Sequence, residues 1–246
     1  MITINFFIFV LVFLLISLSL IGYGRIINYR YHEEKYLENI FFGFVFLTFI
    51  NTFFHFFIKL SLIYNFLIFI IGIIIFFKKS FNYKKIKIKK IGIFLFILLL
   101  LIPIFISQKY HEDFGYYHLP YALLLFEEKI IFGIANTNIA YVYNSIWLNI
   151  YPSFFLFDKN FNFLTFPTFI LYVFFISFLI NDFYKNHEWN LSKLYVCVLV
   201  FYYLIKFTRI SEYGVDLPAS IFANISIIYF IKFFETEEIS DRKKFF

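Results

Sequence analysis

Two groups of carboxylates stand where apolar stretches of the chain end or begin. His111, Glu112 and Asp113 follow an apolar run that stops at residue 106, and Glu212 and Asp216 come just before one that starts at residue 217. A carboxylate at such a boundary, partly withdrawn from water, serves as a general base or ligates a metal ion. Two such groups from distant parts of one chain can share a cleft. The plainer reading is that acidic residues mark where an apolar segment stops. Arg209, with Lys206 close by, sits beside the second group. A guanidinium suits bidentate recognition of a phosphate, and equally suits a salt bridge to Glu212 or Asp216.

A third polar pattern lies inside an apolar run. Thr48, Asn51, Thr52, His55 and Lys59 recur at steps of three and four residues, which puts them on one stripe of a helix. Such a stripe must face protein. It either bonds to neighbouring helices, with Asn65 and Asn224 as partners, or lines a proton or ion path.

The elements that carry these residues follow from composition. With 62% hydrophobic and only 15% charged residues in 246 positions, the chain holds more apolar surface than a water-soluble core can hide. Apolar runs fall near residues 4–23, 40–58, 61–77, 91–106, 164–181, 191–207 and 217–234, each close to the length that crosses about 30 Å of hydrocarbon as a helix. The fold class is therefore an all-α, polytopic helical membrane protein with about seven transmembrane helices. The first run lacks a basic leader and a small-residue cleavage site, so it stays as a span. The 43 phenylalanines reflect AT-rich coding and are assigned no role. Cys197 stands alone inside an apolar run, which excludes an intrachain disulfide.

Charge orients the spans. The stretch KKSFNYKKIKIKK, residues 78–90, carries seven lysines and belongs in the cytoplasm by the positive-inside rule. Arg25, Arg30 and Lys35 then fall inside, the uncharged start falls outside, and the acidic loop 107–163 is external. The net charge of +6 is accounted for by lysines beside apolar spans, which removes nucleic acid as a partner. Residues 141–157 are more polar; as a span they would carry Arg242, Lys243 and Lys244 outside. They read instead as an amphipathic helix in the outer interface, with Tyr143, Trp147 and Tyr151 at headgroup level. The C-terminus is then cytoplasmic. Residues 1–90 form a three-span region with a basic loop, and 91–246 a second membrane region with the external loop.

The segment HEDFGYYHLPYALLLFEEKIIFG, followed by NTNIAYVYNSIWLNIYPSFFLF, resembles the first external loop of GT-C membrane glycosyltransferases, the lipid-sugar-dependent mannosyl- and arabinosyltransferases. An Asp after a span, a Tyr-His-Leu-Pro stretch and an interfacial helix recur in that order, here at Asp113, Tyr117, His118, Leu119 and Pro120. RISEYGVDLPASIFANISIIY resembles a second recurring feature, an Asp introducing a span from outside, here Asp216. The resemblance covers residues 91–234. Phe114 follows Asp113, where relatives often have a second acidic residue, and Glu112 precedes it. The chain is also shorter than most relatives, as a divergent or truncated member would be.

The resemblance implies an inverting transfer of a sugar from a polyprenyl-phosphate-linked donor to a glycan or lipid acceptor at the external face. In that reading Asp113 is the general base, and Arg209 or Lys129 meets the leaving lipid phosphate. Asp216 orients the cation or the sugar, Tyr117 and His118 line the sugar site, and Glu112 belongs to the same substrate-binding set. The sequence names no cofactor; a divalent metal ion stays an option for the carboxylates. The absence of a GxGxxG or Walker motif fits a lipid-borne donor. The location implied is a bacterial inner membrane. Two other classes remain: a transporter or flippase built on the Asn51–His55 stripe, against which stands the lack of an inverted repeat, and a non-catalytic subunit with a membrane-protein partner.

Overall fold

In hydrocarbon no water is available to bond backbone N–H and C=O groups, so a long apolar run must close its hydrogen bonds internally as a helix. The computed structural model, which describes residues 6–28, 36–78, 88–107, 114–143, 145–155, 163–185, 189–211 and 213–244, shows a helix at each of the seven apolar runs. These are α1 (Phe6–Ile27), α2 (Tyr36–His55), α3 (Leu62–Lys78), α4 (Ile88–Ile106), α6 (Phe166–Lys185), α7 (Leu191–Ile205) and α8 (Asp216–Lys244), with a short α5 (Leu119–Glu127) between α4 and α6. Among the described residues every element is helical.

Four helical stretches, Phe6–Ile27, Tyr36–His55, Phe166–Tyr184 and Asp216–Glu235, are long and apolar enough to cross a membrane, as an integral membrane protein requires. Leu62–Lys78, Ile91–Ile106 and Leu191–Ile205 are apolar but shorter. Outward faces carry the residues lipid favours, among them Phe7, Phe49, Ile63, Phe96, Phe201 and Phe230.

Helix α6 is the axis of the bundle, with 83% of its membrane-length window buried against 28% for that of α8. It packs on α2, α4, α7 and α8. A knot of rings, Phe9 and Phe13 of α1, Phe105 of α4 and Phe166 and Phe169 of α6, fills the space between α1, α4 and α6, with centroids 4.7–6.3 Å apart.

The first three helices are joined by glycines. A Cβ on Gly22 would overlap the carbonyl of Gly72, and one on Gly43 would overlap that of Leu20, so α1 touches α2 and α3 backbone to backbone. Ser19 closes against Gly72 in the same seam. Gly43→Val is expected to destabilise the protein by about 2 kcal/mol or more, since the obstacle is main chain and cannot swing aside. Unfolding in mixed micelles measures it, and an unchanged midpoint would show that the helices can separate without loss.

Near the same end of the bundle Lys232 of α8 pairs with Asp182 of α6. Glu235 accepts hydrogen bonds from the Ser192 N–H at 2.9 Å and from Asn190 Nδ2 at 3.0 Å, which caps the start of α7 from α8. Arg25 is buried at this end, with Nη1 donating to the Phe76 carbonyl at 3.0 Å and its guanidinium over the Phe76 ring.

Residues 141–157 differ from the sequence expectation. The described residues among them form no α-helix. The backbone makes two 3-10 helices, Ile139–Tyr143 and Ile146–Phe154, and in the second every residue after Ile146 is buried. Trp147 and Tyr151 are therefore buried in the protein core. Nine residues of 3-10 helix rise about 18 Å, well short of a hydrocarbon core.

Candidate functional site

The burial of Ile146–Phe154 has a definite cause. Asn149, Pro152 and Ser153 bring polar groups into the core, and the polar stripe of α2 meets them. Asn51 Nδ2 donates to the Asn149 carbonyl at 3.0 Å and to Ser153 Oγ at 2.6 Å, while Asn51 Oδ1 accepts from Tyr64 at 3.0 Å. Asn149 Nδ2 donates to Thr52 Oγ1 at 2.8 Å. Asn65 Nδ2 donates to the Pro152 carbonyl at 2.8 Å. One turn further along α2, His55 Nε2 lies 2.9 Å from the Glu128 carbonyl, and because a carbonyl only accepts, Nε2 carries the proton. The Ile130 N–H returns a bond to the His55 carbonyl at 3.0 Å.

Thr52, Asn51 and His55 thus hold the loop between α4 and α6. Asn65 joins the same network, whereas Asn224 bonds Tyr195 and Tyr203 at the α7–α8 contact. Lys59 leaves the stripe, exposed in the turn after α2. Asn51→Leu should destabilise the protein by about 3 kcal/mol, because the Asn149 carbonyl, Ser153 and Tyr64 would lose their shared partner in a dry setting. A loss under about 0.5 kcal/mol in mixed-micelle unfolding would remove this docking role from Asn51.

Within that scaffold the described parts of the predicted site come together unevenly. The chain enters the loop as a π-helix, Phe114–His118, which runs directly into α5 with Pro120 in its first turn. Single π turns are rare and frequent at functional sites. Tyr117 and His118 lie in it half-buried, ring centroids 4.1 Å apart.

The far segment arrives at the same place. Tyr213 puts its ring 5.2 Å from His118, 5.8 Å from Phe114 and 4.2 Å from Tyr151. The Tyr151 hydroxyl donates to the Gly214 carbonyl at 2.6 Å and accepts from Trp147 Nε1 at 3.2 Å. Burial pushes the phenols of Tyr151 and Tyr213 up from their ordinary value of 10, Tyr213 well above it, so both remain protonated donors.

Tyr213 and Gly214 belong to the connection between the 3-10 helix Phe207–Ser211, which carries Arg209, and α8, which Asp216 begins. Arg209 Nη1 and Asp216 Oδ2 lie 3.5 Å apart, both side chains well exposed. The salt bridge anticipated as the alternative to phosphate binding is therefore present. In water an exposed pair of this kind contributes little, about 0–1 kcal/mol, and opens readily to another anion. Asp216 also sits at the N-terminus of α8, where the helix dipole favours a negative charge.

Beside this pair a cavity of about 280 Å³ opens between α2, the 3-10 helix Ile146–Phe154 and α8. Thr48, Phe49, Ile146, Trp147, Pro218 and Phe222 line it, and the wall is almost wholly apolar. Phe49 and Ile146 are exposed on its rim.

Lys129 is exposed after the far end of α5, whose nine residues rise about 13 Å, and it belongs with the segment held by His55. His111, Glu112, Asp113 and Glu212 lie outside the described residues; Phe114, next in sequence to Asp113, and Tyr213, next to Glu212, are in ring contact. Among the described residues no three His, Cys, Asp or Glu side chains gather to hold a metal ion. Sequence reasoning missed Tyr213 altogether and gave Tyr151 a surface position, for neither residue lies on a periodic pattern that marks a core.

A family described as a domain of unknown function, DUF8201, matches residues 5–246. No curated protein and no solved structure matches the chain.

Proposed function

The chain belongs to the DUF8201 family, and we propose that it is a membrane glycosyltransferase that takes a sugar from a lipid-phosphate donor at the external face. In this reading α1–α4 and α6–α8 all cross the bilayer, the N-terminus is outside and the C-terminus cytoplasmic. Residues 107–163 and the Arg209–Asp216 connection then share the outer face. The observation that carries the proposal is the junction of Phe114, His118, Tyr151 and Tyr213. It joins the two segments that bear the boundary carboxylates, beside a guanidinium and an apolar cavity at the lipid-facing side.

The chemistry follows from charge. Asp113, next to the π turn, takes the proton of an acceptor hydroxyl as its oxygen bonds to the anomeric carbon. The bond from that carbon to the phosphate oxygen breaks, the lipid phosphate leaves with the electron pair, and the carbon inverts. Arg209 meets the departing anion as its contact with Asp216 opens. The apolar cavity takes the first part of the lipid chain, and α2 spends its polar stripe on holding the loop, which speaks against a transport path through Asn51 and His55.

In reconstituted membranes, Arg209→Gln should lower kcat/KM for a polyprenyl-phosphate sugar by about 100-fold, the loss of one charge-assisted contact to the developing anion. Single-cysteine labelling of intact cells, in a Cys197→Ser background, tests the arrangement itself. Reagent reaching positions 113, 159 and 216, with position 85 protected, is expected. A cytoplasmic position 216 would separate the two carboxylate groups and end the proposal.

A further inference from the structure

The hydroxyl of Tyr213 has no evident purpose in the fold. It is buried, with only 5% of the residue exposed, and it has no hydrogen-bond partner among the described residues. Its neighbour Tyr151 shows what a satisfied phenol looks like here, with the Gly214 carbonyl, Trp147 Nε1 and Thr168 Oγ1 all within 3.2 Å. A buried hydroxyl without a partner costs about 1–3 kcal/mol, and native proteins satisfy such groups by water or ligand.

The surroundings restrict what that ligand is. The ring of Tyr213 is walled by Phe114, His118 and Tyr151, and Tyr121 follows His118 by about one helical turn. Tyr121 in turn lies 5.2 Å from Tyr141, and Tyr117, His118, Tyr121 and Tyr141 are all half-exposed. The result is a patch of flat apolar faces with phenolic donors between them. Flat rings pack on the C–H faces of a pyranose or furanose, and phenols donate to its hydroxyl oxygens. An acyl chain would use only the rings.

The geometry points to Tyr213 as the donor that reads a sugar ring, at the base of an aromatic subsite whose cover is the Tyr121–Tyr141 pair. This rests on the glycosyl-transfer reading and adds a residue to it. Tyr151 pre-sets the subsite by fixing Gly214 and stacking on Tyr213, so the donor is in place before the sugar arrives. Tyr121 and Tyr141 part as the sugar enters, and the Tyr213 hydroxyl then gains the partner it lacks.

The test uses the full chain in lipid nanodiscs. With Trp189→Phe in place, Trp147 is the one tryptophan, and it bonds directly to Tyr151. Its fluorescence is titrated with polyprenyl phosphate and with the mannosyl, glucosyl and arabinosyl esters of the same lipid. At least one sugar lipid is expected to bind about tenfold more tightly than the bare lipid phosphate, the worth of one well-made hydrogen bond. Tyr213→Phe should abolish that advantage while leaving bare-lipid affinity unchanged and the unfolding midpoint no lower, since it removes an unsatisfied buried hydroxyl, and Tyr121→Ala should speed sugar-lipid association severalfold. If the advantage survives in Tyr213→Phe, or if all three sugars add nothing to a lipid phosphate that does bind, the assignment of Tyr213 is overturned alone. If none of the four lipids binds the unaltered chain, the lipid-phosphate reading falls and this inference falls with it.

Discussion

Asp113→Asn, reconstituted in lipid with a polyprenyl-phosphate sugar, is expected to lose about 10³-fold in kcat with KM little changed. A positioned general base contributes about 10²–10⁴, and the amide keeps the size and shape of the carboxylate but has no lone pair basic enough to take the proton. The split between the two constants matters. A residue that merely shapes the loop would raise KM or lower the folded fraction. Normal expression and an unchanged unfolding midpoint, together with full turnover, would remove Asp113 from the chemistry. The same protein should still bind donor lipid, because Arg209 and the apolar cavity are untouched.

The second large effect concerns the opposite end of the bundle. Lys232→Ala should destabilise the protein by about 3 kcal/mol, because it strands the Asp182 carboxylate in a site where only 6% of that residue is exposed. Asp182→Leu combined with Lys232→Leu should recover most of that loss, since burying two apolar chains avoids the desolvation of both charges. A double variant as unstable as the single one would mean that the pair is fixed by partners besides each other. Neither change should alter donor affinity, for both residues lie at the end of α6 and α8 remote from Asp216.

The seven helical runs were legible because lipid leaves a long apolar sequence no alternative to internal hydrogen bonding. Their ends were less so. Hydropathy ends α8 near residue 234, where the last phenylalanines stop, yet the helix continues to Lys244 through a charged tail of good helix formers. Ile146–Phe154 was misread for a different reason. Trp147 and Tyr151 next to Asn149 and Ser153 look amphipathic, and their burial depends on Asn51 and Thr52, some 98 residues away in sequence, supplying matching bonds. No local pattern encodes that match. Arg209 and Asp216 were recognisable as an ion pair because only six residues separate them. Tyr213 carried no signal, since a tyrosine between Glu212 and Gly214 reads as an exposed loop residue until the π turn is folded against it.

The position of α6 bears on how freely this sequence can drift. A membrane helix with one side toward lipid tolerates exchange along that side, so its permissiveness rises and falls every three to four residues. From Phe166 to Leu179 helix α6 has no such side, because α2, α4, α7 and α8 cover it in turn. A saturation library would therefore read as an unbroken band of intolerance across Phe166–Leu179, where every residue is buried, with the helical rhythm visible only in its neighbours and in its own last turn.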